Sequence, residues 1–301
     1  MVEAKTTGGI SVAQLETDFK NRLGDHSKFD QFMDYSVTFF TYDLQPYIAA
    51  FKADGVSHFV GQWTQNSDTW YSLIFLVKNS HYVIELVSTI KPSGATSLPQ
   101  MEQRMSDAHC KKFKPYQSHA AHVMLISSIN RATSNMNQID DVYSNVFKAK
   151  ITHKIDGKGG LSRRCYTFAS SSELEFPPSG GGSTDEDVCF TSRTADASKD
   201  SILSVQGFEE MLWATHAGTI GSNADSMVDK YTDNHYALPL PSAGLTALAS
   251  NFTSDDPYPI TKDTRLAYAC KQSYIIDPTG WCIQPIGQAS WPKCSSGIIM
   301  L

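Results

Sequence analysis

The feature that most constrains the fold is an order of secondary-structure signals that recurs along the chain. The segment 33–90 opens with a strand-like run (MDYSVTFFTY), continues with a helical run (LQPYIAAFKADG) that ends at Gly55, and closes with three β-rich runs. The segment 232–287 repeats this order with NHYALPL, SAGLTALASNF, YPIT, RLAYACKQ and GWCIQPI. A unit that recurs in sequence is one supersecondary unit that buries its apolar face against its copies. The order predicts an α+β protein of tandem β-α-β-β-β modules that form cupped mixed sheets.

The copies also agree in spacing. The separation of Tyr35 and Glu85 in the first unit is within one residue of the separation of His235 and Gln284 in the last. A third, looser copy lies between them, from AHVMLISSI through the helical MNQIDDVYSNVFKAKI to RRCYTF and DVCFTSR. Its last hairpin is interrupted at 177–187 by PPSGGGSTDED, a composition typical of a mobile surface loop.

The predicted organisation has three modules, two connections and two terminal segments. In chain order they are an N-terminal helical arm (1–30), module 1 (31–92), a linker (93–117), module 2 (118–194), a helical connection (195–231), module 3 (232–290) and a C-terminal tail (291–301). The sequence does not fix which modules pair, and three modules leave one without a mate. Pairing between two chains in a homodimer therefore stays open.

Composition narrows the classes of function. The 301 residues are 41% hydrophobic, enough to bury one large core or two ordinary ones. The formal net charge is -6 and the basic residues are scattered, which argues against a nucleic-acid-binding face. No stretch approaches the roughly 18 apolar residues of a membrane span, and the N-terminus lacks an apolar signal core. We expect a soluble protein without a membrane segment, and favour the cytoplasm over secretion.

The six cysteines are spread out, with no CxxC or Cys/His spacing of a zinc finger or ribbon. Cys165 and Cys189 flank a predicted hairpin, and Cys270 and Cys282 are placed symmetrically about a turn near 276, so either pair could face each other on adjacent strands. We favour free, buried thiols, because cysteine behaves as a small hydrophobic residue. Disulfides are the alternative, and they would indicate a secreted protein.

Two motifs add to the module order. The last module opens on Asn234-His235, and its final strand follows a turn in the run DPTGWCIQ, which is similar to the strand signature DPxGxxIE. Together these features resemble the vicinal oxygen chelate superfamily. That superfamily includes glyoxalases, extradiol dioxygenases, methylmalonyl-CoA epimerases, and fosfomycin- and bleomycin-resistance proteins. The resemblance covers modules 1 and 3 well and module 2 loosely.

In that family two modules pair into a cupped sheet whose first and last strands point side chains at a divalent metal ion. The resemblance implies six such positions: Tyr35, His122 and His235 on first strands, and Glu85, Phe190 and Gln284 on last strands. Phe190 cannot bind a metal, and Tyr35 is a poor ligand. The implied metal ligands are therefore Glu85, His235, Gln284 and His122. Carboxylate, imidazole and amide oxygen suit Fe, Mn, Ni, Zn or Mg.

The resemblance implies a metal-dependent isomerase, lyase or dioxygenase, acting on a small organic substrate with adjacent oxygens or an enolisable carbonyl. Glu85 would be the catalytic proton carrier. The predicted substrate-binding residues are Trp63, Tyr35, His58 and Gln62; the last two alternate with Val60 and so share one face of a strand. The alternative is a metal-free protein of the same fold that sequesters a small aromatic ligand. A third reading is an interaction scaffold whose cup is filled by its own aromatic side chains.

Overall fold

The computed structural model describes most of modules 1 and 2 and part of module 3. The described residues are 17, 21, 36–65, 67–77, 83–97, 125–158, 160–167, 187–193, 209, 236–239, 267–269 and 274–286. In this part of the chain thirteen β-strands form two sheets, one of nine strands and one of four. No helix among these residues is both long enough and apolar enough to cross a membrane.

Module 1 has the predicted β-α-β-β-β order. Its elements are β1 (Ser36–Phe40), α1 (Gln45–Ala53), β2 (His58–Gln65), β3 (Asp68–Leu76) and β4 (Val83–Ser88), followed by the short β5 (Thr96–Ser97). Helix α1 ends as the sequence predicts, because Gly55 adopts a φ of 66° that other residues rarely tolerate. The amide of Gly55 donates to Lys52 O and that of Val56 to Phe51 O, the two hydrogen bonds of a Schellman motif.

Module 2 follows the same order with two elements that the sequence did not predict, a π-helical segment and the strand after it, whose first residues the predicted helix included. Its elements are β6 (Leu125–Ala132), α2 (Met136–Asp140), a π-helical segment (Asp141–Val146), β7 (Lys150–Lys158), β8 (Leu161–Thr167) and β9 (Asp187–Arg193). Helix α2 begins after Asn135, whose side chain accepts a hydrogen bond from the Gln138 amide. Strand β7 is an edge strand with many exposed residues, so its sequence lacks a strong apolar alternation.

Modules 1 and 2 share the nine-stranded sheet. The strand order is β5-β2-β3-β4-β1-β6-β9-β8-β7. Strands β1 and β4 are parallel, as are β6 and β9, whereas β1 and β6 meet antiparallel at the centre. This arrangement answers a question that the sequence left open, since the two modules pair within one chain.

The described strands of module 3 form the second sheet. They are β10 (Tyr236–Pro239), β11 (Ala267–Ala269), β12 (Tyr274–Ile276) and β13 (Cys282–Ile286), in the order β10-β13-β12-β11. Strands β10 and β13 are parallel, like the first and last strands of the other modules. The helical run predicted at SAGLTALASNF and the strand predicted at YPIT lie outside the described residues.

The nine-stranded sheet has two different faces. On the helix face of module 1, Leu44 and Ile48 from the segment around α1 pack on strand residues such as Leu73 and Leu86. Each fully buried aliphatic side chain contributes about 1.5–3 kcal/mol to folding. The opposite face, called the cup face below, carries the residues that alternate with these. Its members include Thr38, Ser72, Glu85, Asn130, Arg163, Cys165 and Cys189.

On the helix face of module 2 the helical layer lies between two sheets. Its apolar cluster joins side chains of the helical layer, of β8 and β9, and of the small sheet: Ile139, Val142, Tyr143, Phe147, Ala149, Tyr166, Val188, Phe190, Ile275 and Ile283. Because Ile275 and Ile283 belong to this cluster, the small sheet packs against module 2 on the side away from the cup face.

Candidate functional site

Glu85 occupies the centre of β4 on the cup face. It pairs in parallel register with Thr38 of β1, and only 3% of its surface is exposed. The Ser72 hydroxyl donates to Oε1 at 2.7 Å, and the Thr38 hydroxyl donates to Oε2 at 2.8 Å. A buried carboxylate is costly unless it is hydrogen-bonded. The strands on either side of β4 therefore each supply one hydroxyl that stabilises it.

These hydrogen bonds extend across both modules. On one side, Trp63 Nε1 donates to Ser72 Oγ at 2.9 Å. On the other, Asn130 Nδ2 donates to Ser36 Oγ at 3.0 Å and lies 3.3 Å from Thr38 Oγ1. Arg163 Nη2 then donates to Asn130 Oδ1 at 2.7 Å. We call this set the polar row; its members are Trp63, Ser72, Glu85, Thr38, Asn130 and Arg163.

The polar row connects the carboxyl group of one module with the guanidinium group of the other. The carboxylate of Glu85 lies in module 1 and the guanidinium of Arg163 in module 2, and Thr38 and Asn130 connect them. Arg163 also donates through Nη1 to Thr191 Oγ1 at 2.9 Å. Buried side-chain networks of this kind are strong when every member is satisfied, because the local dielectric constant is low.

Aromatic side chains adjoin the polar row in module 1. Trp63 and Trp70 are register partners on β2 and β3, and their rings stack with centroids 5.7 Å apart. Phe40 meets Trp70 edge to face at the same distance. All three rings are buried. The surroundings of Glu85 are therefore apolar and aromatic, with a few placed hydrogen-bonding groups, the usual composition of a small-molecule site.

The structure brings together two of the residues that the sequence singled out and separates two others. Trp63 and Glu85 both bond to Ser72. His58 and Gln62 share one face of β2, as predicted, but it is the helix face. His58 pairs with Phe75 and its ring lies 5.8 Å from that of Phe51 on α1. This placement differs from the expectation that His58 and Gln62 line the cup with Glu85.

The structure describes only one of the other predicted site residues, and that one only at its backbone. Tyr35, His122 and His235 lie outside the described residues. Gln284 is described at the backbone, where it pairs with Ala237 in the small sheet. Glu85 and Gln284 thus belong to different sheets, and the small sheet packs on the side of module 2 away from the cup face.

The last-strand position of module 2 is Cys189 rather than Phe190. Thr38 pairs with Glu85 in module 1, and Asn130 pairs with Cys189 in module 2. Phe190 points to the helix face, where it is fully buried in the apolar cluster. Assigning Phe190 to the metal-facing position was wrong by one residue, and in a strand one residue reverses the face.

The described residues supply no group of three metal-ligating side chains that includes Glu85, and both of its oxygens accept hydrogen bonds from neutral hydroxyls. One such group does occur in module 2, where Cys165, Asp187 and Cys189 place their ligand atoms within 4.8 Å of one another. Cys165 and Cys189 form a disulfide, so for this pair the favoured interpretation of free thiols was wrong.

The run DPTGWCIQ has a structural role at its aspartate. Asp277 is fully buried, and its Oδ1 accepts hydrogen bonds from the Thr279 amide at 2.9 Å, the Thr279 hydroxyl at 2.6 Å and the Trp281 amide at 3.1 Å. Its Oδ2 accepts the Tyr143 hydroxyl at 2.8 Å, which ties the small sheet to the helical layer of module 2. Burial raises the pKa of Asp277, and these hydrogen bonds oppose that change only in part.

A second contact also joins the small sheet to module 2. The Arg131 guanidinium lies 3.8 Å above the Trp281 ring, a cation–π contact between β6 and the turn that precedes β13. The sequence pattern drew attention to this turn, but the structure shows that its aspartate holds two units together.

No protein-family model matches the chain, and no curated protein matches it. Solved structures do match. A glyoxalase I variant from Zea mays is 6% identical, with 84% of this chain and 67% of that chain covered and a TM-score of 0.36. Methylmalonyl-CoA epimerase from Mycobacterium tuberculosis is 12% identical, with 55% and 89% covered and a TM-score of 0.30. Streptomyces coelicolor methylmalonyl-CoA epimerase in complex with 2-nitronate-propionyl-CoA is 10% identical, with 53% and 93% covered and a TM-score of 0.28.

The matched proteins carry names that also occur in the superfamily that the sequence resembles. The strand order shows an α+β protein of β-α-β-β-β modules, as the sequence predicts. At such low identity and TM-score the matches carry no argument about activity. The function is therefore argued from the residues of the site.

Proposed function

We propose that the cup face around Glu85 is a metal-free binding site for a small organic molecule with an aromatic or other apolar body and a hydrogen-bonding group. The observation that carries the proposal is the surroundings of the carboxylate. Among the described residues, the hydroxyl groups of Ser72 and Thr38 hydrogen-bond its two oxygens. Neutral donors of this kind hold a carboxylate in place for hydrogen bonding to a ligand.

The aromatic neighbours set the class of ligand. The stacked Trp63 and Trp70 rings and the edge of Phe40 form an apolar wall beside the polar row. Planar apolar molecules pack well on such rings. A hydrogen-bond donor on the ligand, such as a hydroxyl or an amine, would complement the Glu85 carboxylate.

A second candidate is the metal-dependent isomerase, lyase or dioxygenase that the resemblance implies. One observation favours it: Glu85 stands on the last strand of its module, in register with the first strand, on the cup face. This is the kind of position from which the family binds its metal ion. In that case His122 is the proposed partner ligand, His235 and Gln284 would have to act elsewhere, and Fe, Mn, Ni, Zn or Mg are the candidate ions.

Metal content and ligand binding distinguish the two candidates. Untagged protein, kept oxidised and reconstituted with Fe, Mn, Ni or Zn, is analysed by elemental mass spectrometry as wild type, Glu85→Gln and Asp54→Asn. Asp54 is an exposed carboxylate at the end of α1 and provides the matched control. We expect no metal that depends on Glu85. Near-stoichiometric metal lost in Glu85→Gln alone would instead support the metal-dependent enzyme.

Ligand binding is followed by tryptophan fluorescence, because Trp63 bonds to the same serine as Glu85. The probes are phenols, catechols and aromatic hydroxy-carbonyl compounds. We expect at least one of them to quench the wild type, with about 10–100-fold weaker binding by Glu85→Gln, the range for losing a hydrogen bond to a charged group. Quenching by none of the probes, or equal binding by both proteins, would contradict the proposal.

A further inference from the structure

Module 2 places three ligand-bearing side chains together on the cup face, away from Glu85. Cys165 of β8 and Cys189 of β9 are direct register partners. Asp187 lies two residues before Cys189 on the same strand, so both side chains point to the same face. All three residues are buried, and their ligand atoms lie within 4.8 Å of one another.

The edge strand β7 orients the carboxylate of this cluster. Thr152 donates through Oγ1 to Asp187 Oδ1 at 2.9 Å, and the same hydroxyl lies 3.3 Å from the carbonyl oxygen of Cys165. The next residue, His153, is the register partner of Cys165, which puts it on the same face of the sheet. Two sulfurs and a carboxylate thus meet on β8 and β9, and the edge strand β7 carries an imidazole on the same face of the sheet.

We propose that reduction of the Cys165–Cys189 disulfide creates a site for a thiophilic divalent ion such as Zn(II), with Cys165, Cys189 and Asp187 as ligands and His153 as the fourth. Two thiolates with a carboxylate and an imidazole match the charge and ligand types of tetrahedral zinc sites. The proposal is independent of the small-molecule site around Glu85, which belongs to the other module.

An external thiol supplies the electrons that reduce the disulfide. Two equivalents of a monothiol, or one of a dithiol, transfer two electrons to the S–S bond; the reductant becomes a disulfide and the protein gains two thiols. Metal binding then releases the two thiol protons to solvent. Oxidation reverses both steps, because sulfur in a disulfide is not a thiolate ligand.

Because the cluster is buried, reduction of the disulfide and binding of a metal ion depend on each other. In the oxidised protein the two sulfurs are neutral because they are bonded to each other. In the reduced protein two thiolates beside a buried carboxylate would place three negative charges away from water, which is very costly without a cation. A divalent ion removes most of that cost, so ion binding and reduction favour each other. Disulfides persist in oxidising compartments and thiols in reducing ones, and the state of the site would follow the compartment.

The experiment uses Co(II) as a spectroscopic probe of thiolate ligation. Full-length protein is prepared oxidised and reduced under argon, and titrated with Co(II) and then Zn(II). The proteins are wild type, Cys189→Ser, Asp187→Asn, His153→Gln and Cys282→Ser. Cys282 is in the small sheet and provides the matched cysteine control. Circular dichroism verifies that each variant is folded.

We expect reduced wild type and Cys282→Ser to bind one Co(II), with a sulfur-to-cobalt charge-transfer band that Zn(II) abolishes, and oxidised wild type to show no band. Cys189→Ser should lose the band, and Asp187→Asn and His153→Gln should bind at least tenfold more weakly. The absence of a band in reduced wild type, or an unchanged band in Cys189→Ser, would overturn the proposal. Unchanged affinity in Asp187→Asn would also overturn it, because the carboxylate is one of its three defining ligands.

Discussion

Modules 1 and 2 have the same backbone arrangement but different side-chain chemistry at matching positions. In module 1 the amide of Thr41 donates to Val87 O at 2.9 Å, and in module 2 the amide of Thr133 donates to Thr191 O at 2.9 Å. Two residues before each of these acceptors, on the cup face, stand Glu85 and Cys189. In module 1 two hydroxyl groups hydrogen-bond the buried Glu85, and in module 2 a disulfide joins the matching Cys189 to Cys165.

This comparison teaches that the fold fixes where a side chain points and leaves open what it does. Glu85 accepts hydrogen bonds from the Ser72 and Thr38 hydroxyls. Cys189 carries no charge while it is bonded to Cys165, and the nearby carboxylate of Asp187 accepts a hydrogen bond from Thr152. The two halves of one sheet therefore support two different chemical sites.

The largest effect is expected from breaking the covalent bond in module 2. The double variant Cys165→Ala/Cys189→Ala should lower the free energy of unfolding by about 3 kcal/mol, because the unfolded chain gains a free loop between the two positions. Urea unfolding of oxidised protein measures this. A thiol reductant should destabilise the wild type by a similar amount and leave the double variant unchanged. Equal stability of the oxidised wild type and the double variant would contradict the contribution of the disulfide.

A somewhat smaller loss is expected from removing the carboxylate in module 1. Glu85→Ala leaves the Ser72 and Thr38 hydroxyls without their acceptor and opens space beside the tryptophan pair, so we expect a loss of about 2–3 kcal/mol. Glu85→Gln keeps the volume and one acceptor, and should lose about half as much. The same urea series tests both variants. If Glu85→Gln lowers the free energy of unfolding as much as Glu85→Ala does, the carboxylate contributes more through its charge than through its hydrogen bonds.

Matched changes to the supporting hydroxyls sharpen the comparison. Thr38→Val removes a donor to Glu85, and Thr152→Val removes the donor to Asp187. Each should cost about 1.5–2 kcal/mol, the lower part of the range for a hydrogen bond to a charged group. A much larger cost in one module would show that its anion depends more on the hydroxyl. Thermal unfolding of the two variants side by side gives the difference.

The smallest effect on stability is expected at the junction between module 2 and the small sheet. Burial raises the pKa of Asp277 above 3.8, the value of an exposed aspartate, so the folded chain holds this proton more tightly than the unfolded chain. The stability from this group is therefore full below the unfolded pKa and falls as the pH rises through the folded pKa. Asp277→Asn has no such proton to lose, so its stability relative to wild type should rise as the pH increases above 3.8.

Urea unfolding at several pH values tests this expectation, with Tyr143→Phe as the control. That variant removes the hydroxyl donor to Asp277 and keeps the titrating carboxyl. It should lose about 1 kcal/mol and retain a falling dependence on pH. A wild type whose stability relative to Asp277→Asn rises with pH would show that the hydrogen bonds outweigh burial.

The sequence predicted module 1 well because its signals are local. Alternating residues mark β2 to β4, Gly55 marks the end of α1, and Glu85 stands out as a charge between apolar neighbours. Module 2 was harder. Strand β7 is exposed at the sheet edge and lacks an apolar pattern. The sequence placed Asp187 both in the Gly/Ser insertion and in the strand DVCFTSR, and the structure shows it as the first, buried residue of β9.

What the sequence by itself determined is the α+β class, the order of elements in module 1 and the turn at 277–280, because periodicity and turn residues are local properties. Only the tertiary structure decided that modules 1 and 2 share a sheet, that Cys189 rather than Phe190 matches Glu85, and that Asp277 bonds to Tyr143. The physical reason is strand register. Pairing between distant strands sets which face each residue joins, and a shift of one residue reverses it.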